Sequence, residues 1–593
     1  MLQFLKYVLA TVIGLVIFSL LAFFIFLGFI TAASSGDKVT VKENSVLKLK
    51  FDKPIVERGR ENDSFAELAN SLSGNPNSVG LIQIRQTIAA AKNDNNIKGI
   101  YLEPDMYGST AGYPTLEEIR TSLVDFKKSG KFIIAYGEYY TEKSIYLASV
   151  ADKIYLNPEG IVEWNGLNAS ITFLKGTLDK LGVKPEIFKV GDYKSAVEPF
   201  LRQDMSEPSR EQTRSFLTSI NSHLLKTISD ARGISTNELQ ALADSLTIRE
   251  PKDAQQYKLV TDVGYADEVE TAIKKALKQD EKKKIEFISF AKYNKADNKE
   301  KSESGSYDNR IAVIVASGEI NSGDGGDESI GSDRIAEALR KAREDEKIKA
   351  VVLRINSPGG SSLASDVMWR EIQLTKEKKP VVASMSDYAA SGGYYMAMGC
   401  DKIIAHPTTL TGSIGVFGLW FNVKDLLNDK LGVTVDGVKT NSYADIGLPT
   451  RNMSDFERQW FQKRTESVYE DFTTKAAKGR KMNVEDLRKI ASGRVWTGEQ
   501  AKQNGLVDAL GGLEDAVAEA AKLAKLKEGD YRLRYLPEQK PLIEELFGDS
   551  NETMETKIIQ KHTGVLAPYI KDIQKLKSWQ GTQTRLPFEL EIR

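Results

Sequence analysis

Two short segments carry residue types that could do chemistry. Thr411-Gly412-Ser413-Ile414-Gly415 sets a hydroxyl among residues small enough for close backbone approach, and Gly191-Asp192-Tyr193-Lys194-Ser195 offers an amine. Serine is a weak nucleophile at neutral pH and needs a base within hydrogen-bond reach. Histidine is poorly supplied for that role. His223, His406 and His562 are the only three and they are scattered, which also leaves a His-rich metal site poorly furnished. His406 precedes Ser413 closely, but beside Pro407 it reads as a solvent-facing or capping residue. Lysine can act as the base only when neutral. Its reference pKa of about 10.4 must fall by roughly 3 units, on the order of 4 kcal/mol of desolvation or like-charge repulsion. A partly buried site between two domains can supply that. Asp192 would oppose it unless an extended backbone turns it away, and Ser195 or Tyr193 could orient the amine.

The chain that must position these groups is an internal duplication with a period near 250 residues. IKGIYLEPD from Ile97 matches IKAVVLRIN from Ile348, and EYYTEKSIYLASVADKIYLNPEG from Glu138 matches DYAASGGYYMAMGCDKIIAHPTT from Asp387. LGVKPEIFKVGDYKS from Leu181 then lies over LGVTVDGVKTNSYAD from Leu431, and AQQYKLVTDVG from Ala254 over AKQNGLVDALG from Ala501. Each copy alternates Val/Ile-rich runs with amphipathic stretches, such as Ser332 to Glu344 before Val351 to Ile355, which predicts an α/β fold built of βα units.

The copies differ where chemistry is at stake. Trp164 stands at the position of Ser413, and Ala444 at the position of Lys194. One copy keeps a candidate nucleophile and the other a candidate base, as expected of a single site assembled from both halves. A third part is Asn356-Ser357-Pro358-Gly359-Gly360, after the strand-like Val351 to Ile355. A glycine pair at a strand-to-helix turn can aim backbone N–H groups at an oxyanion; the first copy has Pro104-Asp105-Met106-Tyr107-Gly108 there instead. Ser391, Gly392 and Gly393 stand at a predicted helix start that permits close approach of another backbone, a candidate substrate groove. The Tyr394-Tyr395-Met396 run reads as helix core, and the single cysteine, Cys400, as packing on a buried helix face.

With 593 residues the chain exceeds a single core, and 81 basic against 82 acidic residues create no field that would attract nucleic acid. No charge occurs between Lys6 and Asp37, and Tyr7 to Ile30 is almost continuously apolar. Spanning a bilayer takes about 20 residues of helix, so residues 1–36 are expected to form an uncleaved membrane anchor, with Lys6, Lys38 and Lys42 giving little guidance on its orientation. The copies are bounded at 45–291 and 310–536. The polar, charge-rich stretch 292–309 reads as a linker, and 537–593 as an extension with no counterpart in the first copy, with helical fragments at Lys557 to Lys561 and Ile570 to Ser578 and a final strand-like LPFELEIR.

The motifs Gly191-Asp192-Tyr193-Lys194-Ser195-Ala196-Val197-Glu198-Pro199, Asn356-Ser357-Pro358-Gly359-Gly360, Ser391-Gly392-Gly393-Tyr394-Tyr395 and Thr411-Gly412-Ser413-Ile414-Gly415 together resemble the signal peptide peptidase A family, in its long, duplicated form, within the Clp protease/crotonase superfamily. The resemblance covers nearly the whole chain. It implies two ClpP/crotonase-like repeats, Ser413 as nucleophile, Lys194 as general base, and a backbone N–H of Gly359 or Gly360 in the oxyanion hole, with no cofactor and no metal. It further implies a bacterial inner-membrane enzyme with its body on the periplasmic side, a homo-oligomer, a tetramer by this resemblance, and signal peptides and similar apolar peptides as substrates. Two rivals from other classes are a catalytically silent membrane scaffold and a crotonase-like acyl-CoA enzyme. The membrane anchor argues against the second, and the presence of both Ser413 and Lys194 against the first.

Overall fold

The computed structural model describes residues 39–59, 78–105, 111–296, 308–326, 329–539 and 581–586, together with scattered positions between 3 and 21. The apolar stretch from Tyr7 to Ile30 falls mostly outside these. Among the described residues no helix is long and apolar enough to cross a membrane.

Both copies fold as alternating helices and parallel strands. Helix Leu81–Asn93 feeds strand Ile97–Glu103 and helix Tyr113–Lys127 feeds Phe132–Tyr140, just as Ser332–Glu344 feeds Ile348–Ser357 and Ser362–Lys376 feeds Val381–Ala390. The helix Ser332–Glu344 shows why the sequence does this. Ile335, Leu339 and Ala342 form its buried face, with Asp333 in its first turn and Lys341 and Arg343 in its last, complementing the helix dipole. Strand Ile348–Ser357 is buried throughout except at Lys349 and Asn356. Such continuous burial suits a parallel sheet covered on both faces by helices.

The first unit's sheet has six strands in the order Asp262–Val263, Lys153–Val162, Phe132–Tyr140, Ile97–Glu103, Ser45–Lys50, Phe287–Ser289. The second follows the same plan, with Arg310–Ser317 beside Ile348–Ser357 and Arg532–Leu536 outside it. Each unit then adds a 26-residue helix, Glu207–Arg232 or Asp455–Arg480, opened by a serine cap at Ser206 or Ser454. A third sheet joins the units. Its order is Ser329–Gly331, Glu319–Asn321, Gly359–Ser361, Gly581–Arg585, Val416–Asn422, Lys184–Val190, the last from the first copy.

A buried ionic network also ties the halves together. Arg354, fully buried, pairs with Glu57 at 2.9 Å and Glu118 at 2.7 Å, and donates to Ser384 and Ser386 at 3.0 Å each. Glu118 is also met by Arg85 at 3.0 Å and by His406 Nε2 at 3.0 Å. Removing one member of such a cluster would strand a buried charge, at a cost of about 3–5 kcal/mol. His406 is therefore no solvent-facing cap: it is 4 % exposed. Burial alone would lower its pKa, but hydrogen bonds to Glu117 and Glu118 and their charges outweigh burial and raise it to about 9. Its partners come from the first copy, which no local pattern around His406 could reveal.

Three details refine the sequence reading. The stretch read as linker from Lys292 begins inside helix Phe290–Lys295, where Tyr293 packs into the first core. The helical fragments expected at 557–561 and 570–578 lie outside the described residues. In the extension, the described strand is Gly581–Arg585, ahead of the expected LPFELEIR, of which Leu586 alone is described.

Candidate active site

Lys194 follows strand Lys184–Val190, which pairs antiparallel with Val416–Asn422 of the second copy over seven residue pairs. That pairing carries the end of the first-copy strand into the second copy. There Gly191, at φ +100°, turns the chain against Ser492, and Tyr193 N donates to Ser492 O at 3.1 Å. A Cβ on Gly191 would lie 2.4 Å from that carbonyl oxygen, so glycine is required. The lysine stem then runs through a slot floored by two second-copy glycines. A Cβ on Gly493 would sit 2.7 Å from Lys194 Cβ, and one on Gly415 3.2 Å from Lys194 Cδ.

Ser413 stands between strands Leu410–Gly412 and Val416–Asn422. Its φ of +48° is rare for a residue with a side chain, a strain on the order of 1–3 kcal/mol. Flanking hydrogen bonds hold it, Ser413 N to Arg494 O at 2.7 Å and Gly493 N to Ile414 O at 2.8 Å. Ser391 ends strand Val381–Ala390 with φ +52° and is pinned by its N–H on Gly412 O at 2.8 Å.

These three elements converge on one amine. Lys194 Nζ lies 3.0 Å from Ser413 Oγ, 3.1 Å from Ser413 O and 2.8 Å from Ser391 Oγ. All three residues are fully buried. Burial holds the Lys194 pKa well below the ordinary lysine value. A neutral amine has two N–H donors and one lone pair. Donation to Ser391 Oγ and Ser413 O leaves the lone pair for the Ser413 hydroxyl, which is the arrangement a general base needs. Asp192 is exposed.

Neither Tyr193 nor Ser195 orients the amine. Tyr193 bonds Glu211 at 2.8 Å, and Ser195 Oγ accepts from Gln212 Nε2 at 2.9 Å. Gln212 also donates to Tyr193 O at 2.9 Å and accepts from Val495 N at 3.1 Å, stitching the lysine turn to the serine turn. The orienting hydroxyl is that of Ser391, which the sequence suggested only as part of a groove. The role of Gly493 was also missed, although a signal existed. At the offset of the Ala254/Ala501 match, Gly493 falls on Leu246, whose φ is +46° against +80° for Gly493. The first copy tolerates leucine in this strained conformation; the second cannot, because the Lys194 stem occupies the space.

Gly359 and Gly360 form a short strand rather than an open turn, with φ of +105° and +155°, directly before helix Ser362–Lys376. Gly359 N donates to Ser357 Oγ at 3.2 Å. Gly392 and Gly393 open helix Gly392–Ala397, whose Tyr394, Tyr395 and Met396 are buried as core. Cys400 is buried too.

The counterpart positions in the first copy are filled. Trp164 is buried and donates to Leu239 O at 2.9 Å, and Glu142, aligned with Ser391, accepts from Asn165 N and Gly166 N at 2.8 Å each. Ala444, aligned with Lys194, lies on an exposed turn.

Comparison with known proteins agrees with the duplication. The model of peptidase family S49 matches residues 125–280 and 373–527, once in each copy. The chain is 39% identical over 549 residues to "Protease 4" of Salmonella typhi, covering 89% of this chain and 86% of that one. It is 34% identical over 582 residues to "Protease 4" of Haemophilus influenzae, covering 93% and 92%. To "Serine protease SPPA, chloroplastic" of Arabidopsis thaliana it is 36% identical over 491 residues, covering 82% and 70%. With a family match in both copies and relatives similar over nearly its full length, the chain belongs to peptidase family S49 and is a serine protease.

Proposed function

We propose that Ser413 is the nucleophile and Lys194 the general base of one site per chain, and that the enzyme cleaves signal peptides and similar apolar peptides at a membrane. The observation that carries this reading is a fully buried amine, its pKa held down by burial, 3.0 Å from a hydroxyl in a strained turn. The neutral Lys194 takes the Ser413 proton as Oγ attacks the peptide carbonyl. The protonated amine gives that proton to the leaving nitrogen, and water, deprotonated by the same lysine, releases the acyl group. A backbone N–H of Gly359, once released from Ser357 Oγ, or of Gly360 would face the developing oxyanion, beside the start of a 15-residue helix whose dipole favours negative charge.

The finer parts of the reading rest on the sequence. The apolar stretch from Tyr7 to Ile30 anchors the chain in the inner membrane with its body on the periplasmic side. The repeats are ClpP/crotonase-like, and the protein assembles as a homo-oligomer. An apolar signal peptide and a polar peptide of equal length, offered to the membrane-bound enzyme, distinguish the substrate class. Cleavage of the apolar peptide at least about tenfold faster is expected, a difference of roughly 1.4 kcal/mol. Equal rates would contradict it.

Ser391 is a positioning residue in this scheme. Ser391→Ala removes one of the amine's three polar partners, and leaving a buried group unpaired costs about 1–3 kcal/mol, so kcat/KM should fall roughly 10- to 100-fold. The acid limb of the pH profile should move with it, because the amine's surroundings change. A profile unmoved in both height and position would remove Ser391 from the site.

A further inference from the structure

Six lysines crowd one end of the first copy. Lys274, Lys275 and Lys278 close helix Ala266–Ala276 and the turn after it, and Lys282, Lys283 and Lys284 lead into strand Phe287–Ser289, with Asp280 and Glu281 between the two groups. Lys274 Nζ donates to Glu281 O at 2.6 Å. The other five are exposed, and among the described residues no ion pair engages them. The helix dipole accounts for Lys274 and Lys275 in the last turn, but its influence ends there. Lys282 to Lys284 serve no such end. The second copy has no equivalent run: at the offset of the Ala254/Ala501 match, Gly529, Asp530 and Tyr531 stand where the first copy has Lys282, Lys283 and Lys284.

The copies also differ in what lies beside this place. In the first, it is where the chain enters the body. Val39 and Val41 pack on the first core, Asn96 Nδ2 donates to Val41 O at 3.2 Å, Lys42 pairs with Glu286 at 3.1 Å, and Val46 N donates to Glu286 O at 2.9 Å. Glu286 is two residues past Lys284. Only residues 31–38 separate the apolar stretch Tyr7 to Ile30 from Val39, and a chain of that length spans at most about 30 Å. Phe287, 38 % exposed on the edge strand of the first sheet, adds an apolar ring beside the lysines. Once the apolar stretch is in a bilayer, the tether keeps this end of the body close to the headgroups. Lysines are drawn to an anionic leaflet over a distance set by salt, about 10 Å at 0.1 M.

We propose that Lys275, Lys278, Lys282, Lys283 and Lys284 dock the first copy on the anionic headgroups of the bilayer that holds the apolar stretch, with Phe287 at headgroup level. Docking turns a tethered body into an oriented one, its first copy resting on the surface by the end that carries the lysines. The inference rests on the membrane reading of Tyr7 to Ile30, and it does not depend on which groups perform the chemistry. It also explains why the run occurs in one copy alone: the second copy has no chain emerging from a bilayer beside the matching turn.

The test reconstitutes the full-length chain, with a donor dye on Thr271→Cys, into vesicles of phosphatidylcholine alone or mixed with phosphatidylglycerol, each holding an acceptor dye on a lipid headgroup. Thr271 is exposed on the same helix, and Cys400 is buried away from the label. Energy transfer should be at least about twofold stronger in the phosphatidylglycerol vesicles. It should fall to the phosphatidylcholine value in about 0.5 M salt, and equally in a chain carrying Lys278→Glu, Lys282→Glu, Lys283→Glu and Lys284→Glu. The salt arm needs no charge reversal, so it stands even if that variant folds poorly. Equal transfer in the two lipids, or transfer indifferent to salt, would overturn the inference. Flotation with phosphatidylcholine vesicles in high salt reads the anchor by itself. A chain left behind there refutes the anchor, whereas a chain that floats but shows equal transfer in both lipids refutes the docking alone.

Discussion

Replacing Lys194 with methionine is expected to lower kcat/KM for an apolar peptide by at least about 10³-fold, the scale on which removal of a reacting group is felt, while making the protein more stable at neutral pH. The two effects have one cause. Lys194 is fully buried, and burial holds its pKa well below the ordinary lysine value. Between the folded and unfolded pKa values the unfolded chain carries a proton that the folded site does not. Stability therefore rises with pH across that window, and below it the site must bury a charge. Methionine fills a similar volume with no proton to bind, so the variant should melt higher at neutral pH and lose this part of the pH dependence. Thermal melts from pH 6 to 10 check the sign. Lys194→Arg should be inactive as well, because a guanidinium stays protonated. With Lys194 as the proposed base, the same pKa would shape catalysis in the unaltered enzyme. Activity should climb about tenfold per pH unit on the acid limb and level off as the lysine becomes neutral.

Ser413→Ala is expected to lower turnover further still, by about 10⁴-fold or more, since groups acting as one unit lose nearly everything when either is removed. Its fold should survive. The positive φ at Ser413 is held by backbone bonds from Ser413 N and Gly493 N, neither of which uses the hydroxyl. A melting temperature close to that of the parent, with activity gone, separates loss of chemistry from loss of structure. Residual activity above about one part in a hundred would be too large for a missing nucleophile.

Much of this arrangement was legible in the sequence because duplication supplied an internal comparison. Trp164 against Ser413 and Ala444 against Lys194 pointed to a site shared between copies. The structure shows why those substitutions are compatible with the fold: Trp164 packs in the first core, and Ala444 lies on an exposed turn. The βα alternation was legible from periodicity, as in Ser332–Glu344 before Ile348–Ser357. What escaped were contacts made across the copies. His406 looked like a surface loop residue because its partners, Glu117 and Glu118, lie far away in sequence. Ser391 looked like part of a groove because the amine it meets arrives from the other half. The tail strand could not be placed because its neighbours, Gly359–Ser361 and Val416–Asn422, are complementary to it through backbone bonds that leave no mark on side-chain pattern.

On the proposed pairing of Ser413 with Lys194, the duplication gains a functional meaning. Strand Lys184–Val190 delivers Lys194 by pairing with Val416–Asn422, and the Arg354 network locks the halves behind it. Each copy alone holds one member of the pair.

The most direct measurement is covalent labelling of the full-length enzyme with a serine-directed phosphonate, followed by peptide mapping across pH. The account predicts a single adduct on Ser413, formed faster as pH rises through the Lys194 titration and lost in Lys194→Met. An adduct on another serine, or labelling of Ser413 that is indifferent to Lys194, would contradict it.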